Sequence, residues 1–210
     1  MTRRRFISFE GSEGCGKTTQ IALLRERLEQ RGETVLLTRE PGGTLLGEAI
    51  RHLLKHAREG QNMAAEAELL LFNASRAELV RKEILPALDS GAWVLSDRFG
   101  DSSVVYQGIA RGLGMETVRQ VVEFATGGLK PGLTFLLDLD PKVASRRIRR
   151  RPQPVDRIEK EGSAFFAKVR DGFLSLAQAE PDRIRTIDTT EAAAAVFEVI
   201  WKEVSHAFSL

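Results

Sequence analysis

The sequence predicts an α/β fold: a five-stranded parallel sheet with helices on both faces. Two observations lead to it. Five short runs read as buried strands and alternate with helical patterns from one end of the chain to the other. Between the first run and the first helix lies Gly11-Ser12-Glu13-Gly14-Cys15-Gly16-Lys17-Thr18, a glycine-rich turn in the strand–turn–helix setting of a phosphate-binding loop. The 210 residues suit one well-buried domain, and no repeat or linker divides them, so residues 1–210 read as a single unit.

The first strand is Arg4–Glu10, and Gln20–Leu28 follows the loop as an amphipathic helix. Gly32 marks the end of that helix, and Thr34–Thr38 forms the second strand. The turn Arg39-Glu40-Pro41-Gly42-Gly43-Thr44 is rich in breakers and charge. Ile50, Leu53, Leu54 and Ala57 then recur at helical spacing. After a polar break at 59–62, a long helical region runs to Leu88, with Leu70, Ala74 and Ala77 on one face and Leu85 and Leu88 extending an apolar stripe. Pro86 kinks it or starts a new turn. Gly91–Ser96 is the third strand and delivers Asp97-Arg98-Phe99. Asp101–Gly108 reads as a short helix, and a further one spans Met115–Ala125 and closes at Gly127-Gly128. Leu133–Leu139 is the fourth and most hydrophobic strand. The next helix carries Val143, Ile148 and the run Arg146, Arg147, Arg149, Arg150, Arg151, until Pro152-Gln153-Pro154 breaks it. Ala164–Ala179 is helical, with Phe165, Val169, Phe173 and Leu176 on one stripe. Ile184–Asp188 is the fifth strand, and Val196, Ile200 and Val204 mark the last helix.

A formal net charge of +2, with 29% charged residues, argues against a general polyanion binder while leaving room for local basic patches, and no nucleic-acid partner is expected. The single cysteine, Cys15, excludes an intrachain disulfide and suits a reducing interior. Leu69-Leu70-Leu71-Phe72 is far too short to span a membrane. Arg3-Arg4-Arg5 resembles a signal sequence only until Glu10 and Gly11 interrupt it. The expectation is a cytoplasmic protein with no membrane partner.

In the loop, glycines let successive N–H groups point at an anion, and the helix N-terminus adds positive charge. Lys17 supplies a mobile charge for the outer phosphates, and the Thr18 hydroxyl is placed for Mg²⁺. In an open parallel sheet, ligands sit beyond the carboxyl ends of the strands. The loop, Arg39, Asp97-Arg98 and the arginine run all follow strands, so they converge on one rim. No Asn-Lys-x-Asp sequence is present to read guanine. Several rim arginines suit the gathering of several anionic groups, as phosphoryl transfer between two nucleotides demands. Taken singly, these residues have plainer readings. From spacing alone Phe72 is a core residue, Arg76 a solvated helix charge, Tyr106 ordinary packing and Cys15 a small filler. Asp97-Arg98 could be an internal ion pair, and the arginine run an exposed helix face or a patch for nucleic acid.

The loop resembles that of nucleoside monophosphate kinases, and three further motifs resemble thymidylate kinases. They are Arg39-Glu40-Pro41-Gly42-Gly43-Thr44, Phe72-Asn73-Ala74-Ser75-Arg76, and Asp97-Arg98-Phe99-x-x-Ser102-Ser103-x-x-Tyr106-Gln107-Gly108. The resemblance runs from the first strand to the last. It implies the three-layer P-loop NTPase fold and the reaction ATP + dTMP → ADP + dTDP with Mg²⁺. It implies that Gly11, Ser12, Glu13, Gly14, Cys15, Gly16, Lys17, Thr18 and Thr19 bind ATP, and that Thr18 and Asp97 serve the metal. Lys17 would meet the transferring group, and Arg98 and Arg39 would hold the acceptor phosphate. Glu13 would accept from the 3′-hydroxyl, Phe72 would stack on thymine, and Arg76 would donate to a base carbonyl. Ser102, Ser103 and Gln107 would complete the substrate pocket, with Tyr106 crowding the 2′ position. The loop has no basic residue at Gly14 or Cys15, while arginines cluster at 146–151 with Arg157 beyond. That pattern is similar to the bacterial type with a basic lid, here about 146–157, and makes Arg149, Arg150 and Arg151 catalytic candidates. Such kinases are typically homodimers, and the helices between residues 50 and 125 could pair. Another nucleoside monophosphate or deoxynucleoside kinase is the nearest alternative. A P-loop switch or ATPase is a different-class alternative that leaves the second set of rim arginines without a role.

Overall fold

A computed structural model of the chain describes residues 5–57, 60, 62–149 and 156–210. The chain runs β1 (Phe6–Glu10), α1 (Lys17–Glu29), β2 (Val35–Arg39), α2 (Leu45–Lys55) and α3 (Ala65–Leu79). A π-helical segment, Val80–Ile84, leads into α4 (Leu85–Asp89) and then β3 (Trp93–Asp97). Next come α5 (Gly100–Ser103), a second π segment at Val104–Ala110, α6 (Met115–Thr126) and β4 (Leu133–Asp138). The chain ends with α7 (Pro141–Arg149), α8 (Ser163–Ala179), β5 (Ile184–Asp188) and α9 (Ala193–Phe208).

The five strands form one parallel sheet, as the sequence predicts, and their order is β2-β3-β1-β4-β5. Strand alternation divides β1 between the two faces. Ile7 and Phe9 join Trp93, Leu95, Leu133, Phe135 and Leu137 on one face, against Ile21, Leu24 and Leu28 of α1 and Val196, Ile200 and Val204 of α9. Phe6 and Val94 turn the other way, onto Leu79, Val80, Ile84 and Phe99. On that second face Leu136 and Ile184 pack under Val105, Val169, Phe173 and Leu176. Ser8 and Glu10 also point to the second face, where burial in an apolar layer would be costly without partners. Ser8 Oγ lies 2.8 Å from Thr134 Oγ1, and Glu10 accepts from Phe99 N and Ser102 Oγ.

Two local expectations are corrected. The face holding Leu70, Ala74 and Ala77 is not the buried face of α3: Leu70 is 60% exposed, and the helix buries Glu68, Leu69, Asn73, Ser75, Arg76 and Leu79. The reason is that α3 walls a polar pocket, so its inner stripe carries hydrogen-bonding side chains that an apolar-periodicity reading assigns to solvent. The Asp101–Gly108 helix is instead a four-residue α-helix followed by a π segment through Ala110, which Arg111 N closes by donating to Tyr106 O at 2.9 Å. The helical backbone runs on from α3 through the other π segment into α4, with right-handed helical dihedrals at Leu79, Val80, Ile84 and Leu85, so Pro86 lies within a continuous helical stretch, directly after the π segment, and starts no new turn. The Pro152-Gln153-Pro154 break lies outside the described residues.

Candidate active site

The phosphate loop leaves the centre of the sheet. Gly11, Gly14 and Gly16 have φ of 129°, 81° and 99°. A Cβ on Gly11 would also stand 2.5 Å from the Leu137 carbonyl oxygen of β4, so this turn requires glycine twice over. Lys17, the first residue of α1, folds back over the loop and donates from Nζ to Ser12 O at 3.0 Å and Gly11 O at 3.3 Å. Burial and the Arg98 charge work against its ammonium, but Cys15, Glu13 and Asp97 together outweigh them and its pKa stands above the usual lysine value. Cys15 is buried behind the loop as a small packing residue.

β3 delivers Asp97-Arg98 beside this loop. Arg98 has φ of 74°, a left-handed conformation for a residue with a Cβ. Its N–H donates to Phe9 O at 3.0 Å, and Ser96 Oγ donates to its carbonyl at 2.6 Å, which fixes the turn. The guanidinium lies over the Tyr106 ring at 5.2 Å and donates to Ser102 Oγ and Glu13 Oε1, both at 3.0 Å. The internal Asp97–Arg98 pair is therefore not what holds this arginine. Burial opposes ionisation of Glu13, but Lys17, Arg98 and Lys55 hold its carboxyl far below the usual range.

Glu10, which the sequence reading did not single out, underlies the whole turn. Its Oε1 accepts from Phe99 N at 2.8 Å and its Oε2 from Ser102 Oγ at 2.6 Å. Burial and the nearby Asp101 push its pKa up to about 7, against the pull of Arg98. The signal was its place as the last, inward-facing residue of β1, where a charged group needs a purpose.

A narrow pocket opens between α3 and the second π segment. Glu13, Phe72, Arg98, Ser102, Ser103, Tyr106 and Gln107 line it, together with Glu40 and Pro41. The wider turn of the π segment places Tyr106 and Gln107 on the same wall as the α5 serines. Phe72 is half-buried there, so it is a pocket residue rather than core. Arg76 is not a solvated charge, being 1% exposed. It does not line the pocket. Nε and Nη2 donate to Glu40 Oε2 at 2.8 and 2.6 Å, Nη1 to Asn73 Oδ1 at 2.7 Å and Ser103 Oγ at 3.1 Å, and Nη2 to Phe99 O at 3.2 Å. An arginine has five N–H groups, so its capacity is filled within the protein. Ser75 of the same motif accepts from Gly42 N at 3.1 Å, tying α3 to the turn after β2.

The pocket joins a cavity of about 850 Å³ whose wall includes Glu13, Thr18, Arg39, Arg51, Lys55, Asp97 and Arg98. Arg39 is exposed and donates to Glu48 at 3.1 and 3.3 Å. Thr18 and Asp97 present a hydroxyl and a carboxylate to one space, the hard oxygen donors that Mg²⁺ prefers in company with phosphates. Arg51 and Lys55 were missed from the sequence; they stand four apart on α2, the helix that directly follows a recognised motif, and that spacing was the available signal. Of the basic run, Arg147 donates to Gly14 O of the phosphate loop at 3.4 Å and to Thr189 O at 3.1 Å. Arg149 ends α7, and Arg150 and Arg151 lie outside the described residues.

The sequence profile of the thymidylate kinase family matches residues 9–200. The chain is 48% identical over 207 residues to a protein of Deinococcus radiodurans named thymidylate kinase, covering 98% of each. The chain belongs to the thymidylate kinase family. A Synechococcus thymidylate kinase is 50% identical over 199 residues, covering 95% of this chain and 93% of its own. The crystal structure of thymidylate kinase from Ehrlichia chaffeensis superposes with a TM-score of 0.78 at 34% identity, covering 95% of this chain and 97% of that one. That likeness shows the P-loop NTPase fold. The motifs behind the thymidylate kinase resemblance meet in space: Arg39 and Glu40 from the first, Phe72 from the second, and Asp97, Arg98, Ser102, Ser103, Tyr106 and Gln107 from the third all face the joined cavities.

Proposed function

We propose that the chain transfers the γ-phosphoryl group of ATP to dTMP, giving ADP and dTDP. The observation that supports this reading most strongly is Arg98. It stands between the phosphate loop and a narrow pocket with an aromatic side, sharing Glu13 with the first and Tyr106 with the second. One arginine therefore addresses both nucleotides.

The acceptor phosphate has a second pKa of roughly 6, so it is largely dianionic at neutral pH and needs no general base. An oxygen of that phosphate attacks the γ-phosphorus, and the bond to the β-γ bridging oxygen breaks toward ADP. What remains for the protein is alignment and neutralisation of charge. In this reading Gly11 to Thr19 hold the ATP phosphates, Lys17 meets the transferring group, and Arg98 and Arg39 hold the acceptor. Mg²⁺ would be held by Thr18 and Asp97 and would supply charge neutralisation at the phosphates. Glu13, kept ionised, accepts a hydrogen bond from the 3′-hydroxyl. Phe72 stacks on thymine, and Tyr106 crowds the sugar. Arg76 serves the base wall from behind, through Ser103. Arg149, Arg150 and Arg151 supply the lid cation. The same reading makes the chain a cytoplasmic homodimer. Exposed Leu70 and Phe124, on α3 and α6, offer apolar surface for pairing.

The test is ADP release with ATP and Mg²⁺, offering dTMP, dUMP, dCMP, AMP, GMP and thymidine separately. The expected order is dTMP first, dUMP weaker and the others near background. Best turnover with another monophosphate would overturn the base-pocket assignments while leaving the phosphate chemistry in place.

A further inference from the structure

Gln107 lines the narrow pocket, and the direction of its amide decides what a base meets there. Its Nε2 donates to Glu68 Oε1 at 2.8 Å. Glu68 is buried on α3, and its oxygens are also held by two cations. Arg111 Nε donates to Oε1 at 3.3 Å and its Nη2 to Oε2 at 3.4 Å, while Arg157 Nη2 donates to Oε2 at 2.6 Å. Arg157 is fixed in turn by donation from Nε to Leu54 O at 2.9 Å. An ionised carboxylate only accepts hydrogen bonds, so the amide must give Glu68 its NH₂ side. The side left for the pocket is the carbonyl, an acceptor.

We propose that Glu68 is a positioning residue for base selection: by fixing the Gln107 amide, it makes the pocket choose pyrimidines that carry a hydrogen on N3. Thymine and uracil offer an N3–H donor to that carbonyl. Cytosine offers a lone pair at N3, leaving two buried acceptors face to face, which is costly. Glu68 is kept in its acceptor form because Gln107, Arg157 and Arg111 together outweigh burial and lower its pKa. The inference rests on the reading that this pocket holds the base of a monophosphate acceptor.

Steady-state turnover of dTMP and dCMP tests it, with thermal melting to confirm folding. Glu68→Gln lets the amide turn either way, so the dTMP-to-dCMP ratio of kcat/KM should narrow about ten-fold or more, chiefly through KM for dTMP. Glu68→Gln combined with Gln107→Glu restores the bond with its direction reversed and again leaves an oxygen for the base; the ratio should recover. Arg111→Gln removes its ion pairs with Glu68 and Glu161 and spares the Glu68–Gln107 bond, so the ratio should hold. If Glu68→Gln does not fold, Gln107→Leu alone must narrow the ratio by the same order. An unchanged ratio in folded Glu68→Gln, or equal narrowing in Arg111→Gln, overturns the proposal. Wild-type enzyme that turns over dTMP and dCMP equally overturns it while the kinase reading stands. Wild-type enzyme inactive on every monophosphate overturns the kinase reading itself.

Discussion

Arg98 has the most tasks of any single residue here. It holds a left-handed backbone, balances Glu13 and lies over Tyr106. Arg98→Ala should lower kcat with dTMP by about 10²–10³, the scale of losing one charged group that meets developing charge, and leave the ATP dissociation constant nearly unchanged. Steady-state kinetics with calorimetric titration would check both; a collapse of ATP affinity with dTMP affinity intact would reverse the two phosphate sites. Glu10 makes a different prediction. Its pKa is raised to about 7 in the folded protein against an ordinary 4.5. A raised pKa contributes stability in full below 4.5, and that contribution is lost as pH climbs through 7. Glu10→Gln has no such titration. Between pH 5 and pH 8 the wild type should therefore lose about 2 kcal/mol relative to the variant in urea unfolding. A difference independent of pH would contradict the assignment.

Among the elements, the phosphate loop is the most constrained by its neighbours. Gly11→Ala meets both the positive φ and the Leu137 carbonyl of β4, and should cost about 2–4 kcal/mol in chemical denaturation with loss of nucleotide binding. A neutral substitution would mean that β1 and β4 can part at this end of the sheet. The strands were legible in the sequence because each is a short apolar run bounded by breakers, and β5 matches its expected limits of Ile184 and Asp188. α3 was not legible in the same way. Its inner stripe is Glu68, Asn73, Ser75 and Arg76 as well as Leu69 and Leu79, so apolar periodicity points to the wrong face. Burial of these polar groups depends on partners distant in sequence: Glu40 for Arg76, and Gln107, Arg111 and Arg157 for Glu68. No local pattern announces such pairs. The π segment at Val104–Ala110 was equally hidden, because its sequence reads as ordinary helix.

At the scale of the whole molecule, the sheet order places β1 between β3 and β4, so the phosphate loop and the Asp97-Arg98 turn leave neighbouring strands. The two described ends of the basic segment expected to form the lid are anchored to different parts of the site. At one end Arg147 reaches the phosphate loop at Gly14; at the other Asp156 pairs with Lys55 at 2.7 Å and Arg157 with Glu68 at 2.6 Å. These ends therefore lie beside the phosphate loop and beside the narrow pocket, an arrangement that suits the proposed transfer between two bound nucleotides better than hydrolysis. No described helix is long and apolar enough to cross a membrane. The most direct test of transfer is a single turnover with ATP labelled at the γ-phosphorus, Mg²⁺ and excess dTMP, with the products separated. The label should appear in the β position of dTDP, at a rate far above its release as inorganic phosphate. Label released mainly as inorganic phosphate, whether or not dTMP is present, would contradict the kinase account and favour an ATPase.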